Sequence, residues 1–306
     1  MLLFQLISIA SARKALIIGG SGEFTSNLDV ILNNGTIELS DREAMSELGG
    51  GTAKSYQWHC SVLFRGEPYI IGGFPTAYYE QVIKYNGFYW IQVERLPEPI
   101  FGQICSVFDD RIWVCAGKHI LGHSNRKCFL FDGEHWSSMN SYQARSLRPA
   151  GAVLQDGFYL IGGAHESDQT TPLRTVEKCT LTGCVQSSLY PKPNNMASAV
   201  SVNGTIFVFG GYDGEDLLRE IYSFGSFSAA WRHVGNLNRQ RAGHLVLALG
   251  KSNFPIFLIF GGKNKNGEPK CEIFNPLVSR RSQEFSIPEL DGRRIGASTV
   301  VLESYP

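Results

Sequence analysis

One phrase recurs down this chain and limits what it can become: a run of apolar residues closed by two glycines. It is clearest in Ile206-Phe207-Val208-Phe209-Gly210-Gly211. There, β-branched and aromatic residues favour a buried strand, and the glycines end it. The phrase stands again at Leu16-Ile17-Ile18-Gly19-Gly20, Tyr69-Ile70-Ile71-Gly72-Gly73, Tyr159-Leu160-Ile161-Gly162-Gly163 and Phe257-Leu258-Ile259-Phe260-Gly261-Gly262. A weaker copy, Ile112-Trp113-Val114-Cys115-Ala116-Gly117, sits between the second and third of these. Counted from the first closing residue, the six copies lie 53, 44, 46, 48 and 51 residues apart. A period of that length means repeated supersecondary units stacked on one another, not a single mixed core.

Each unit reads as four strands. A first, small and apolar strand (Gly151-Ala152-Val153-Leu154 or Ala197-Ser198-Ala199-Val200-Ser201) meets a tight turn, Asp156-Gly157 or Asn203-Gly204. Such dipeptides between apolar runs are strong hairpin signals. The second strand ends in the diglycine. The third ends in an aromatic, and the fourth begins near a Trp: Tyr85 with Trp90, Phe131 with Trp136, and more loosely Phe224 with Trp231. Large aromatics there fill the wedge between neighbouring units. The expected fold is all-β: a six-bladed β-propeller with four antiparallel strands per blade. The stretch from Arg294 to Leu302 is one more first strand with no second strand after it, while the chain opens on a second strand at Arg13–Gly20. The tail is therefore expected to complete blade one and leave no open sheet edge. Ser40-Asp41-Arg42-Glu43 has the form of a capping box, and predicts a short helix closed by Gly49-Gly50-Gly51.

Taken together, the diglycine after an apolar strand, the Tyr/Phe-to-Trp pair and the period near 50 resemble the kelch repeat over essentially the whole chain. The resemblance departs at Ala116-Gly117, and no Trp fills the pair in units one, four and six. In propellers of this kind the face carrying the diglycine loops recognises partner peptides. It does so through Arg at the head of the first strand and aromatics after the diglycine. By that resemblance the matching positions are Arg148, Arg241, Arg294, Tyr212 and Phe74, with Arg148 in a shifted register. Ser55, Ile100 and Asn194 occupy the equivalent places in the other units, so the Arg ring is half present.

Composition excludes some partners. Lys+Arg and Asp+Glu are both 28 of 306 residues, which gives no reason to expect nucleic acid or an anionic membrane. No apolar run reaches the roughly 18 residues that span a bilayer. Residues 1–12 are apolar and end Ala10-Ser11-Ala12, like a secretory signal peptide, which leaves 13–306 as the propeller. There are seven cysteines. Cys179 and Cys184 take the two positions held by Phe131 and Trp136 in the preceding unit, with the same spacing. Opposed positions on a hairpin lie near disulfide reach, so a Cys179–Cys184 bond is expected; two separate buried thiols are the alternative. Cys105 and Cys115 face across a hairpin and could also bond, whereas Cys60, Cys128 and Cys271 read as core fillers. Asn34 and Asn203 head N-glycosylation sequons in turns opposite the diglycine loops. Disulfides and a signal-like start together point to a secreted or extracellular protein.

Catalytic motifs are missing: no G-x-S-x-G, H-E-x-x-H or phosphate-cradling loop occurs. His119, His123 and Cys128 fall near one another but lack the fixed framework of a metal site, so neither metal nor cofactor is expected. The leading expectation is a non-catalytic module that binds a protein or peptide on its diglycine-loop face. One alternative is an enzyme or sugar binder at the channel mouth. Another, implied by the resemblance, is a cytoplasmic recognition module of a ubiquitin ligase or cytoskeletal complex.

Overall fold

The diglycine runs become the second strands of four-stranded antiparallel sheets. The computed structural model describes residues 13–18, 28–33, 36–41, 57–73, 79–145, 148–165, 171–225, 230–249, 255–265, 269–287, 290, 295 and 298–302. No helix occurs among them. In unit two the strands are Cys60–Phe64, Glu67–Ile71, Val82–Tyr85 and Trp90–Gln92, each paired with the next. Units three to six repeat this, with first strands Ile104–Phe108, Ala150–Leu154, Ser198–Val202 and Ala242–Ala248. In unit one, Arg13–Ile18 pairs with Leu28–Asn33 on one side and with Ser298–Leu302 on the other, Leu16 opposite Val300. Leu28–Asn33 then pairs with Thr36–Asp41. The tail does lie beside the head, as the extra first strand predicts.

The first strands sit innermost. Each lies against the first strand of the next unit, and Ser298–Leu302 lies against both Ala242–Ala248 and Cys60–Phe64. Second strands are buried on both faces, which is why they read as unbroken apolar runs. Alternate residues face opposite neighbours. Ile112 and Val114 pack toward unit two, while Trp113 and Cys115 pack toward unit four with Phe158 and Leu160.

At the rim, the aromatic pairs hold the register read from the sequence. Tyr85 is opposite Trp90, Phe131 opposite Trp136 and Phe224 opposite Trp231, with ring centroids 5.5, 4.9 and 5.0 Å apart. The indole does a second job. Trp136 Nε1–H donates to the Glu94 carbonyl of the previous unit at 3.1 Å, and Trp231 Nε1–H to that of Ser188 at 3.3 Å. In unit four the same two positions hold Cys179 and Cys184, which are directly opposed and joined as a disulfide.

The other cysteines differ from expectation. Cys105 stands opposite Val114 and Cys115 opposite Ile104. This one-residue offset puts the two thiols on opposite faces of the sheet, so they do not bond with each other. Cys105 instead joins Cys60 on the face toward unit two, and Cys115 joins Cys128, its direct neighbour across the next strand pair. Cys60 and Cys128 are therefore cross-links as well as core residues. Cys271 is buried and lies outside the three bonds. The capping-box reading also gives way at its start. Ser40 and Asp41 are ladder residues of the strand Thr36–Asp41, opposite Asp29 and Leu28, and the remainder of that stretch lies outside the described residues.

Cys60–Cys105 links the inner strands of two units across 45 residues of sequence, whereas Cys179–Cys184 closes a hairpin across 5. Chain-entropy reasoning then ranks them at about 4 and about 2 kcal/mol of stabilisation. Paired substitution to alanine, followed by chemical denaturation, is expected to show the larger loss for Cys60/Cys105. Equal losses would contradict the inter-unit role.

Candidate functional site: the channel mouth and the diglycine face

In units two to six, one residue at the entry to the inner strand has a backbone that L-residues seldom adopt. Trp58, Gly102, Arg148, Met196 and Gly243 all have φ between 57° and 67°. The left-handed turn aims each amide along the ring and not into its own sheet. Gly102 N–H donates to the Trp58 carbonyl at 2.8 Å, Arg148 N–H to Gly102 at 3.0 Å, Met196 N–H to Arg148 at 3.0 Å and Gly243 N–H to Met196 at 2.7 Å. These bonds form a belt that passes from unit to unit around the channel mouth. Two of the five positions are glycine, where the conformation is free. At Trp58, Arg148 and Met196 it costs about 1–2 kcal/mol each.

The diglycines serve the same mouth. A Cβ on Gly73 would come within 2.6 Å of His59 Cβ, and one on Gly262 within 2.8 Å of His244 Cβ. Only glycine leaves room there for the side chain that follows the left-handed residue. His59, Gln103 and His244 occupy that position in their units and line a central cavity of about 550 Å³. Farther in, Val107, Val153, Val200 and Val246 line it.

Three side chains meet across the mouth. With no side chain on Gly102 between them, Arg148 reaches back over Trp58, its Cζ 3.2 Å from the indole centroid. Its Nη1 lies 3.0 Å from Met196 Sδ, and its buried Nε has no hydrogen-bond partner. Burial without a counter-charge pulls the guanidinium pKa down to about 9. In unit six, His244 is 3% exposed and neither ring nitrogen has a hydrogen-bond partner. Desolvation, followed by the nearby Arg241 charge, holds His244 well below its ordinary pKa. Gln103 donates from Nε2 to the Ile71 carbonyl at 2.7 Å and leaves buried Oε1 unpartnered. On the unit-two side, Ser298 Oγ lies 2.6 Å from both His59 Nε2 and Ser61 Oγ.

The residues picked out by the resemblance divide. Arg148 is at the mouth as a belt residue, which accounts for its shifted register. Arg241, two residues before the belt, is fully buried and pairs with Glu272 at 2.5 Å, with further bonds to the Gly261 and Lys270 carbonyls. It is unavailable to a partner in this state. Removing it would strand a buried carboxylate at a cost of about 3–5 kcal/mol, so lost binding in an Arg241 variant would report damage to the fold. Tyr212 is half-buried at the end of a second strand. Its hydroxyl donates to the Gly214 carbonyl at 2.6 Å, and Lys263 Nζ lies 5.6 Å from its ring centre. Arg294, Phe74 and Asn34 lie outside the described residues, as do residues 1–12. Asn203 is exposed in the turn at the opposite end of the channel. His119 and His123 stack with centroids 4.4 Å apart, while Cys128 is held in its disulfide. Three sulfurs, those of Cys128, Cys179 and Cys184, lie within 4.8 Å of one another, but all belong to disulfides.

Trp58, Gln103, Met196 and His244 were not read from the sequence. The available signal was the alignment of Gly102 and Gly243 at the entry to their inner strands, against which Trp58, Arg148 and Met196 stand out.

Four-stranded antiparallel sheets set around a channel, inner strands facing it, define a β-propeller. A model of the Kelch motif matches residues 193–238, which span unit five from before its inner strand to the end of its Trp231 strand. Unit five thus carries a Kelch motif, and the other units share its four-stranded build. A 75-residue segment is 37% identical to a Rho GTPase-activating protein, gacHH, of Dictyostelium discoideum; it covers 24% of this chain and 5% of that protein. The solved chain titled "Structure of YjhT" matches with a TM-score of 0.69 at 15% identity, over 89% of this chain and 94% of that one. No described helix is long and apolar enough to cross a membrane.

His244 gives the site a pH signature. Its folded pKa is depressed below the ordinary 6.5, so below that pH the unfolded chain binds the additional proton and stability falls with pH. One proton corresponds to about 1.4 kcal/mol per pH unit. Urea denaturation between pH 7 and pH 5 is expected to show a shallower decline for His244→Gln than for the wild type. Parallel declines would contradict the assignment.

Proposed function

We propose that this protein is a six-bladed propeller that binds a protein or peptide on its diglycine-loop face without catalysing a reaction. The count is supported by the cycle of inner strands, each touching the next and the tail strand touching two others. A single feature carries the binding reading. In the loop after Ala116-Gly117, Ile120 and Leu121 are 48% and 78% exposed at the tip of a tight turn. The turn is fixed by His119 N–H to the His123 carbonyl at 2.9 Å, Gly122 N–H to the His119 carbonyl at 2.8 Å and Leu121 N–H to His119 Nδ1 at 3.1 Å. An apolar pair held out to water on an ordered turn loses little entropy when a partner covers it. The three disulfides favour an oxidising, extracellular setting over the cytoplasmic alternative.

The test places a photo-crosslinking residue at position 121, identifies the captured partner and measures its affinity. Ile120→Ser/Leu121→Asp is expected to keep the wild-type melting temperature and to bind that partner at least about tenfold more weakly. Unchanged affinity would overturn the assignment of this face.

A further inference from the structure

The outer edge of unit four is unlike the outer edges of the other units. Among the described residues, no strand pairs with its fourth strand, Gly183–Gln186, on the outward side. An edge strand offers unpaired amides and carbonyls to any other chain, and charged side chains are a usual guard against such pairing. The outer strands Thr36–Asp41, Trp136–Arg145, Trp231–Asn236 and Gln283–Phe285 each contain a charged residue: Glu38, Arg145, Arg232 and Glu284. Trp90–Gln92 has Glu94 two residues on. Around Gly183–Gln186, by contrast, the sequence is uncharged from Cys179 to Pro191. The same edge exposes apolar side chains to water: Leu181 at the hairpin tip, Val185 and Leu189 are 44%, 57% and 48% exposed. The Cys179–Cys184 bond holds the hairpin in one shape.

The register says which backbone groups face outward. Ser187 N–H donates inward to the Val176 carbonyl at 2.8 Å. Cys179 and Cys184 are directly opposed with Cα atoms 4.0 Å apart, the close spacing of a pair that exchanges no backbone hydrogen bonds. Backbone groups alternate along a strand, so Val185 turns its amide and carbonyl inward to Lys178, whereas Cys184 and Gln186 turn theirs outward. We propose that this edge pairs antiparallel with the same strand of a second copy of the chain, on a twofold axis through Val185. In that register the strand is its own complement. Cys184 meets Gln186 of the second copy, the two exchange both backbone hydrogen bonds, and the twofold repeats the exchange on the other side. Val185 meets its own counterpart as a close pair without backbone bonds, where facing side chains pack best. Leu181 and Leu189 stand four residues to either side of Val185, so Leu181 falls beside Leu189 of the second copy. The three exposed apolar residues of this edge are thereby covered, and no charge is buried with them. The Ser188 carbonyl already accepts from Trp231 Nε1, which limits the pairing to this short stretch. So small a contact sets the dissociation constant on the order of micromolar or weaker. None of these residues belongs to the Ile120-Leu121 turn, so either assignment can fail without the other.

The test is sedimentation of the intact protein from about 1 to about 300 μM, which is expected to show a monomer–dimer equilibrium. Val185→Lys sets two like charges on the axis, and Gln186→Pro removes an outward donor while leaving the inner ladder whole. Each is expected to keep the wild-type melting temperature and to weaken dimerisation by about tenfold or more. Leu121→Asp is expected to leave dimerisation unchanged. Val185→Cys brings two thiols near disulfide reach, and mild oxidation is expected to give a dimer linked through position 185. Leu277→Cys, comparably exposed on unit six, is expected to give none. The proposal is overturned if the protein stays monomeric throughout, which would leave the edge to a different chain. It is equally overturned if folded Val185→Lys dimerises as the wild type does, or if Val185→Cys links no faster than Leu277→Cys. Wild-type sedimentation and the conservative Val185→Cys variant decide the matter even if Val185→Lys and Gln186→Pro do not fold.

Discussion

The belt of backbone hydrogen bonds at the channel mouth is the constraint on which the rest of the structure depends. Each sheet can satisfy its own ladder, but nothing within a sheet sets its angle to the next. The bonds from Gly102 to Trp58, Arg148 to Gly102, Met196 to Arg148 and Gly243 to Met196 do so at the narrowest part of the wedge. There the inner strands crowd together, each against the next. A buried amide left unpaired costs about 1–3 kcal/mol, so every unit has reason to join the belt. The left-handed backbone is what joining requires. At the rim the gap is wide, and bulk takes over: paired aromatics fill it and indole N–H groups reach the previous unit.

This division of labour explains which residues the repeat keeps. The second glycine makes room for the residue after the left-handed turn in units two, three and six (His59, Gln103 and His244), for Pro149 in unit four and for the Asn194 side chain in unit five. Where the rim pair is lost, in unit four, a disulfide spans the same two positions and ties the hairpin covalently. Unit six shows a third solution. Arg241, Glu272 and Ser282 form a buried polar cluster that fastens the entry to its inner strand onto its own third strand, with Glu272 also receiving the Asn238 and Arg239 amides. Such a pair adds little net stability, because desolvation offsets attraction, but it tolerates no missing member.

Local features of the fold were legible in the sequence; features that join distant segments were not. The diglycine strands, the Asp-Gly and Asn-Gly turns, the Tyr/Phe-to-Trp register and the Cys179–Cys184 pairing all depend on residues a few positions apart. The pairing of the tail with Leu16 was legible because an unmatched strand needs an edge. Cys60–Cys105 was hidden because it joins two units, and knowing which face each cysteine takes requires the register of both. Cys115–Cys128 was hidden by the long loop between its strands. The burial of Arg241 depends on a carboxylate 31 residues onward. Of the site, Arg148 and Tyr212 were found as positions, but their surroundings were not, since Trp58 and Met196 reach Arg148 from other units.

The central claim is that the mouth belt fixes units two to six against one another and opens only when the whole propeller does. Native-state hydrogen exchange measures this directly at the amides of Gly102, Arg148, Met196 and Gly243. The account predicts that all four exchange with the same opening free energy as second-strand amides such as Val114 and Val208. Exchange of any of them at rates typical of the exposed turns, with the second strands still protected, would contradict it.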